Sequence, residues 1–421
     1  MDYGDARYRP ETGCAAQADL RHDSLIATAP PAQRWLLIES QAPWPRQALT
    51  SLGAAGAEGR APTGPGGGAE HRTPTNAGAG GAEGRAPTGA GAGGTKGQAP
   101  TGAGGSGAEG QALPSLGAGG AEGRAPTGPG GGGVEGRARM GAGAGVAEGQ
   151  ALTSAGVGGA VGPALTSLGG RGAEAGVGLG DVVARTCREL GIRPVLVRRY
   201  GRVDRARSRR WGLVDCRPGR EEIRWGTLPT DEHLLDVLAG KDPGSVSNEP
   251  VYLVCTHGRH DACCAVRGRP VAAALASAYR ERTWECSHIG GDRFAANVVV
   301  LPHGLFYGHV PPTRAVELAR QYDKGLVVPD LLRGSGAFTP PVQAAQHFAR
   351  QAGHAPTVDN LQPQSVQQLP DHRWRILLAS TTGSISVEVS AHLDTVDARL
   401  TCAGSSPAQI RRFELHTLTT S

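Results

Sequence analysis

The chain has 421 residues, of which 66 are Gly and 30 are Pro, and only 4% are aromatic. Glycine costs backbone entropy inside regular elements and proline interrupts them, so a single packed domain of this length is excluded and part of the chain is expected to be low-complexity. The net charge of +5, from 43 basic and 38 acidic residues, is too small to imply a nucleic-acid partner, and no apolar run reaches the ~18 residues of a membrane span.

Residues 1–31 read as an N-terminal tail. Its start, MDYGDARYRPETGC, carries acids and lacks an apolar core, so no secretory leader is expected. RWLLIE at 34–39 is short, apolar and flanked by proline, the pattern of a buried strand. Residues 53–176 are then almost wholly Gly, Ala, Pro, Thr, Glu, Arg and Ser. Glu83, Glu109, Glu122, Glu135 and Glu148 recur at intervals of 13 or twice 13, with Lys96 at the missing step. Each unit offers Ala, Pro and at best one Leu or Val, far short of the ~1–2 kcal/mol per residue that ordering requires. Glycine does not recur at every third position, which excludes collagen, and the period is short for a stacked solenoid. A disordered Gly/Ala/Pro repeat insertion is expected. Its ALTS units echo RQALTSLG at 46–53, which points to tandem expansion within one domain.

Beyond the array, Asp181 can cap a helix running to Leu190 and stopped by Gly191. PVLVRR (194–199) reads as a strand, and RWGLVD (210–215) with IRWG (223–226) as a hairpin across Pro218-Gly219. A helix at 231–238 closes this unit, so residues 32–52 plus 177–245 follow the order β-α-β-β-β-α. The same order returns in 246–353: a strand at 250–256, an Ala-rich helix at 270–279 with Pro270 in its first turn, strands at 283–287, 297–301 and 304–310, and a helix at 312–322. The fold expected is α/β, with two thioredoxin-like lobes containing mixed sheets. WRILLA, SISVEVS, ARLTC and RRFEL within 354–421 alternate as short strands of a small antiparallel C-terminal appendage.

The eight cysteines are Cys14, Cys187, Cys216, Cys255, Cys263, Cys264, Cys286 and Cys402. They are too sparse for a secreted disulfide framework and suit a metal site in a reducing cytoplasm. Cys14, Cys187, Cys216 and Cys402 read as structural or free thiols. The others fall in two loops that each follow a strand, CTHGRHDACC (255–264) and CSHIGGDRF (286–294). Sulfur and imidazole at neighbouring strand ends can converge on one ion or cluster. Gly290-Gly291 removes side-chain bulk where the backbone approaches something closely, and Arg259, Arg267, Arg269 and Arg293 would help to hold thiolates. The basic run at 198–210 has no aromatic stacking platform. It reads as a solvated loop, with docking of an acidic redox partner as the second reading.

The run CTHGRHDACC followed by HIGGDRFAANVVVLPHGLFYG resembles the sucrase/ferredoxin-like family, whose members carry a thioredoxin-like ferredoxin domain. The resemblance spans 35–39 and most of 195–353. It implies a [2Fe-2S] cluster held by two cysteines and an H-x3-H pair, and one-electron transfer to an unidentified partner protein. The matching positions are Cys255, Cys264 and His288, while the fourth falls on Asp292 instead of histidine. Carboxylate is a harder ligand than imidazole, so Cys263, Cys286, His257 and His260 stand as alternates. Two other readings remain open: a structural zinc site on the same residues, and a thiol enzyme using Cys263-Cys264 or Cys286. No paired carboxylates suited to glycoside hydrolysis are evident, so an electron carrier is favoured over a hydrolase.

Overall fold

The structure is a computed structural model and describes residues 10–53, 177–202 and 204–421. The repeat and the disorder expected for 53–176 lie, beyond Gly53, outside the described residues.

Each expected strand of the first half forms where alternating or continuous apolar runs predict it. Strand β1 (Arg34–Glu39) runs parallel to β2 (Ile192–Arg199), and helix α2 (Leu179–Glu189) crosses between them. Strands β3 (Arg209–Asp215) and β4 (Glu222–Leu228) form the hairpin, followed by α3 (His233–Leu238) and a short β5 (Ser245–Ser247). Helix α2 begins at Leu179 behind Gly178, so Asp181 lies in its first turn and does not cap it.

The second half repeats this pairing. Strand β6 (Val251–Cys255) is parallel to β7 (Thr283–Cys286) and antiparallel to β8 (Val298–Leu301), which pairs with β9 (Leu305–Tyr307). Helices α4 (Ala262–Ala278) and α5 (Pro312–Asp323) and strand β10 (Leu332–Ser335) complete it. Helix α4 starts at 262, not at 270. Asp261 caps it by accepting the Cys263 N–H at 2.8 Å, so Cys263 and Cys264 are helical and Pro270 sits inside the helix.

The two mixed sheets expected for the halves are joined edge to edge. Strand β2 pairs antiparallel with β7, Val197 opposite Cys286, giving one ten-stranded sheet of order β10-β9-β8-β6-β7-β2-β1-β3-β4-β5. The sheet coils strongly. Trp225 of β4 stacks on Trp284 of β7 at 5.3 Å although three strands separate them in the sheet order, and Trp35 of β1 meets Phe306 of β9 at 5.9 Å. These rings share one core with Leu37, Val197, Leu253, Cys255 and Cys286, which therefore belongs to both halves. On the other face, α2 and α3 bury Val183, Cys187, Leu234 and Val237, while α4 and α5 bury Val271, Leu275 and Leu318.

Residues 354–421 form the antiparallel sheet expected: β11 (Gln362–Leu369), β12 (Arg373–Ser380), β13 (Gly383–Val396) and β14 (Ala408–Thr420). Strand β11 is new, and ARLTC at 398–402 is a turn region between β13 and β14. Helix α6 (Pro340–Gln351) places Val342, Ala345 and Ala349 against Ile376, Leu378, Val387 and Val389 of this sheet. The N-terminal segment is not a loose tail where it is described. It contains helix α1 (Cys14–Leu20) and inserts Ala27, Ala29 and Ala32 into the cores.

The two flanks of the insertion touch. A Cβ on Gly53 would lie 3.3 Å from Leu179 Cβ, one on Gly180 would lie 2.1 Å from the Leu49 carbonyl, and the Gly53 N–H donates to Asp231. Deleting residues 56–172 should therefore leave the fold intact, with the urea midpoint unchanged or raised, since the loop-closure cost changes by only ~0.6 kcal/mol per halving of length. A lowered midpoint would show that residues of the insertion support the fold.

Candidate metal centre

The centre is assembled at the C-terminal ends of two parallel strands. Strand β6 ends in Cys255 and β7 ends in Cys286, directly opposite in register. The chain leaving β6 turns through 256–261 into α4, whose first turn returns Cys264 over Cys255. This return depends on Gly268: a Cβ there would sit 2.1 Å from the Cys255 carbonyl. The chain leaving β7 carries His288 and then turns at Gly290 and Gly291, with φ of +94° and +84°, into a short 3-10 turn at Asp292–Phe294.

Cys255, Cys264 and His288 each offer a donor atom within 4.8 Å of the others, as do His260, His288 and Asp292. Three of the four residues expected as ligands, Cys255, Cys264 and His288, therefore come together, and Asp292 groups with His288 and His260 beside them. Cys264 Sγ lies 3.1 Å from Asp292 Oδ1, and His260 Nε2 lies 3.3 Å from Asp292 Oδ2. His288 Nδ1 is 2.9 Å from Asp292 Oδ1, yet it is buried and has no aligned hydrogen-bond partner. The His260 ring stacks on His288 at 3.7 Å. The sulfurs are 1% exposed, whereas the His288 and His260 side chains are 28% and 36% exposed, so thiols line the floor and imidazoles the mouth.

Electrostatics sharpen this division. Contacts with Cys264 and Cys286 hold the Cys255 thiol well below its ordinary pKa, whereas those partners are raised, Cys264 chiefly by its contact with Cys255 and Cys286 chiefly by burial. Of the three thiols, Cys255 is the one whose ionisation its neighbours favour. Burial opposes charge on His288, but nearby Asp292 and Cys255 outweigh it and raise its pKa to about 9. Burial likewise opposes charge on Asp292, and the imidazoles of His260 and His288 outweigh it, keeping the carboxyl below its usual range.

The alternates are placed differently. His257 engages both ring nitrogens, Nε2 with the Pro45 carbonyl at 2.6 Å and Nδ1 with the His288 N–H at 3.1 Å. It orients the loop, together with Trp44, whose Nε1 donates to Thr256 Oγ1 at 3.3 Å. Cys286 sits below Cys255 in the shared core. Cys263, next to Cys264 in sequence, turns away to a separate group with Cys14 and Cys402.

The arginines expected at the site are mostly occupied elsewhere. Arg259 and Arg269 are exposed, Arg267 pairs with Asp19, and Arg293 pairs with Asp23. Arg333 of β10 takes their place. It is 2% exposed and donates to Thr28 Oγ1, the Thr28 and Gly290 carbonyls and Asn297 Oδ1, at 2.6–3.1 Å. Every acceptor is neutral. Among the described residues no carboxylate pairs with it, and burial lowers its pKa to about 9. Arg193, over the Trp35 ring at 5.1 Å, is likewise lowered by burial and held up by Cys286 and Cys255. Arg333 also explains the glycine pair: a Cβ on Gly291 would lie 2.4 Å from its guanidinium, and one on Gly290 would lie 2.8 Å from Pro30. The signal for Arg333 in the sequence is weak, a lone charge in LLRGSG.

Residues 197–334 match the family model described as sucrase/ferredoxin-like, a span containing Cys255, Cys264, His288, Asp292 and Arg333. It is narrower than the resemblance read from the sequence and includes both chemistry-bearing loops. No curated protein and no solved structure matches the chain.

Replacing Arg333 by Lys keeps the charge and loses the planar fork. The substitution should lower stability by about 2–4 kcal/mol in urea unfolding of the metal-free chain, because several buried carbonyls lose their donor. A change below ~0.5 kcal/mol would mean that the guanidinium network does not hold the 290–297 turn.

Proposed function

We propose that the chain is a cytoplasmic electron-transfer or redox-sensing protein whose [2Fe-2S] cluster is held by Cys255, Cys264, His288 and Asp292, the second half of its sheet acting as a thioredoxin-like ferredoxin domain and the first half as its thioredoxin-like counterpart. The observation that carries this reading is the gathering of three buried sulfurs near buried Arg333 and half-buried Arg193, neither of which pairs with a carboxylate among the described residues. A buried cation is costly unless an anion neighbours it. Thiolates bound to iron are such an anion, and the His288 imidazole, once it has released its proton, supplies a softer donor than oxygen.

A bound [2Fe-2S] cluster supplies a one-electron couple, and imidazole in place of thiolate on one iron raises its potential. The protein's part is to supply the donors and their surroundings. Cys255 and Cys264 give buried thiolates, while Arg333 and Arg193 favour the more negative, reduced state. His288 and His260 occupy the half-exposed mouth, where a partner protein would approach. Asp292, facing both imidazoles, fixes their orientation even where it does not itself ligate. Within the basic stretch at 198–210, Arg198, Arg199 and Arg209 are paired with carboxylates, and the exposed Arg202, Arg205 and Arg207 are the ones that would face an acidic partner.

One observation favours a second reading, a structural zinc ion on the same residues: donor atoms of Cys255, Cys264 and His288 lie within 4.8 Å of one another, and Asp292 Oδ1 lies 3.1 Å from Cys264 Sγ and 2.9 Å from His288 Nδ1, a set of donor types that zinc accepts. Visible spectra decide between the two. The full chain purified anaerobically should be red-brown, bleach with dithionite and give an EPR signal when reduced. Cys255→Ala should abolish the colour, and Asp292→Ala should weaken its retention less. Equal and complete loss in both would make Asp292 a full ligand. A colourless chain whose stoichiometric zinc disappears in Cys255→Ala would establish the zinc reading instead.

A further inference from the structure

A second group of sulfurs lies on the opposite side of the α4 N-terminus. Consecutive helical residues diverge by ~100° about the axis, so Cys263 and Cys264 face different surroundings although adjacent in sequence. Cys264 faces Cys255. Cys263 faces Cys14 of α1 and Cys402 of the turn between β13 and β14. The three Sγ atoms form a nearly equilateral triangle, with Cys14–Cys263 at 3.6 Å, Cys263–Cys402 at 3.4 Å and Cys402–Cys14 at 3.7 Å. Asp261 closes the group, its Oδ1 and Oδ2 lying 3.7 and 3.6 Å from Cys14 Sγ.

From this geometry we infer a second metal site, a structural zinc ion bound by Cys14, Cys263, Cys402 and Asp261. Zinc–sulfur bonds of about 2.3 Å at a tetrahedral angle put sulfurs about 3.8 Å apart, and a zinc-bound oxygen lies about 3.5 Å from each of them. The sulfur edges of 3.4–3.7 Å and the Cys14–Asp261 distance of 3.6 Å come close to those values, and all four donors lie within 4.8 Å of one another. A disulfide accounts for the group less well. Its bond is about 2.05 Å long, and it would strand one of three equivalent sulfurs. The carboxylate is held as metal-bound carboxylates are, with Oδ1 accepting the Cys263 N–H at 2.8 Å and Oδ2 the Cys402 N–H at 2.6 Å, and each oxygen retains a lone pair. Cys14, Asp261 and Cys263 are at most 2% exposed, and Cys402 stands at the rim, where an ion can enter.

The ion would join three distant parts of the chain. Cys14 and Asp261 are separated by 247 residues, and Cys263 and Cys402 by 139. Helix α1 has seven residues, too few to persist without tertiary support. Zinc would fasten it, with the β13–β14 turn, to the helical turn that carries Cys264. Thiolate-rich donor sets select zinc over magnesium or calcium.

The site is tested on the full chain by measuring zinc and iron together, and by cobalt substitution, which colours a tetrahedral thiolate site through charge-transfer and d–d bands. The chain exchanged into Zn2+ and desalted should carry one equivalent of zinc that Cys14→Ser and Cys402→Ser each lose, while visible colour and iron stay at wild-type levels. Cys255→Ser should do the reverse. If iron is absent from every sample, the proposed electron-transfer role fails and the zinc result still stands. Should a variant misfold, alkylation of wild-type Cys402 provides the reading: blocked with zinc bound, rapid after chelation. Zinc retained in both serine variants, no cobalt–thiolate bands, or a disulfide in the non-reduced chain involving any of the three cysteines would overturn the site.

Discussion

Arg333 holds the candidate centre in its shape. Its guanidinium reaches from β10 to the Gly290 turn, to Asn297 before β8 and to Thr28 of the N-terminal segment, and it lies over the rings of Phe294 and Phe306 at 5.0 and 5.7 Å. Each acceptor is a neutral oxygen, so the charge is solvated by the protein, and among the described residues no carboxylate pairs with it directly. The turn beneath His288 and Asp292 can close only around this group, which is why the residue at 291 must lack a Cβ. The charge of Arg333 and that of Cys264 act on each other, so the guanidinium also bears on the electrical character of whatever that sulfur binds.

The two halves divide labour through matching positions. Both present a loop after a strand that is parallel to its neighbour. In the second half that loop supplies sulfur and imidazole. In the first half the corresponding stretch after β1 supplies Trp44 and the Pro45 carbonyl, which steady Thr256 and His257. The antiparallel seam between β2 and β7 makes this exchange possible, since it sets one half's loop against the other's.

Much of this was legible in the sequence. Apolar runs such as RWLLIE, PVLVRR and NVVVL gave their strands away because each is buried on both faces, and the two chemistry-bearing loops were recognisable from their donors alone. The approach of Cys255, Cys264 and His288 to one another followed from strand order, with Asp292 beside His288. The start of α4 was missed because Pro270 mimics a helix N-terminus, whereas the working cap is Asp261. Strand β11 was missed because QPQSVQQL is polar and largely exposed, held by its ladder to β12 and not by burial. Arg333, and the meeting of Cys14 with Cys263 and Cys402, depend on contacts across hundreds of residues, which no local pattern encodes.

The ends of the large sheet bear on how the molecule meets others of its kind. Joining β2 to β7 hides two edges that would each have been open in a separate half, and what remains are β5, three residues long, and β10, four residues long and fully buried. Edges so short cannot template an incoming strand. Crowded copies of this protein are thereby denied the main-chain route to aggregation through their principal sheet, and recognition there is left to side chains.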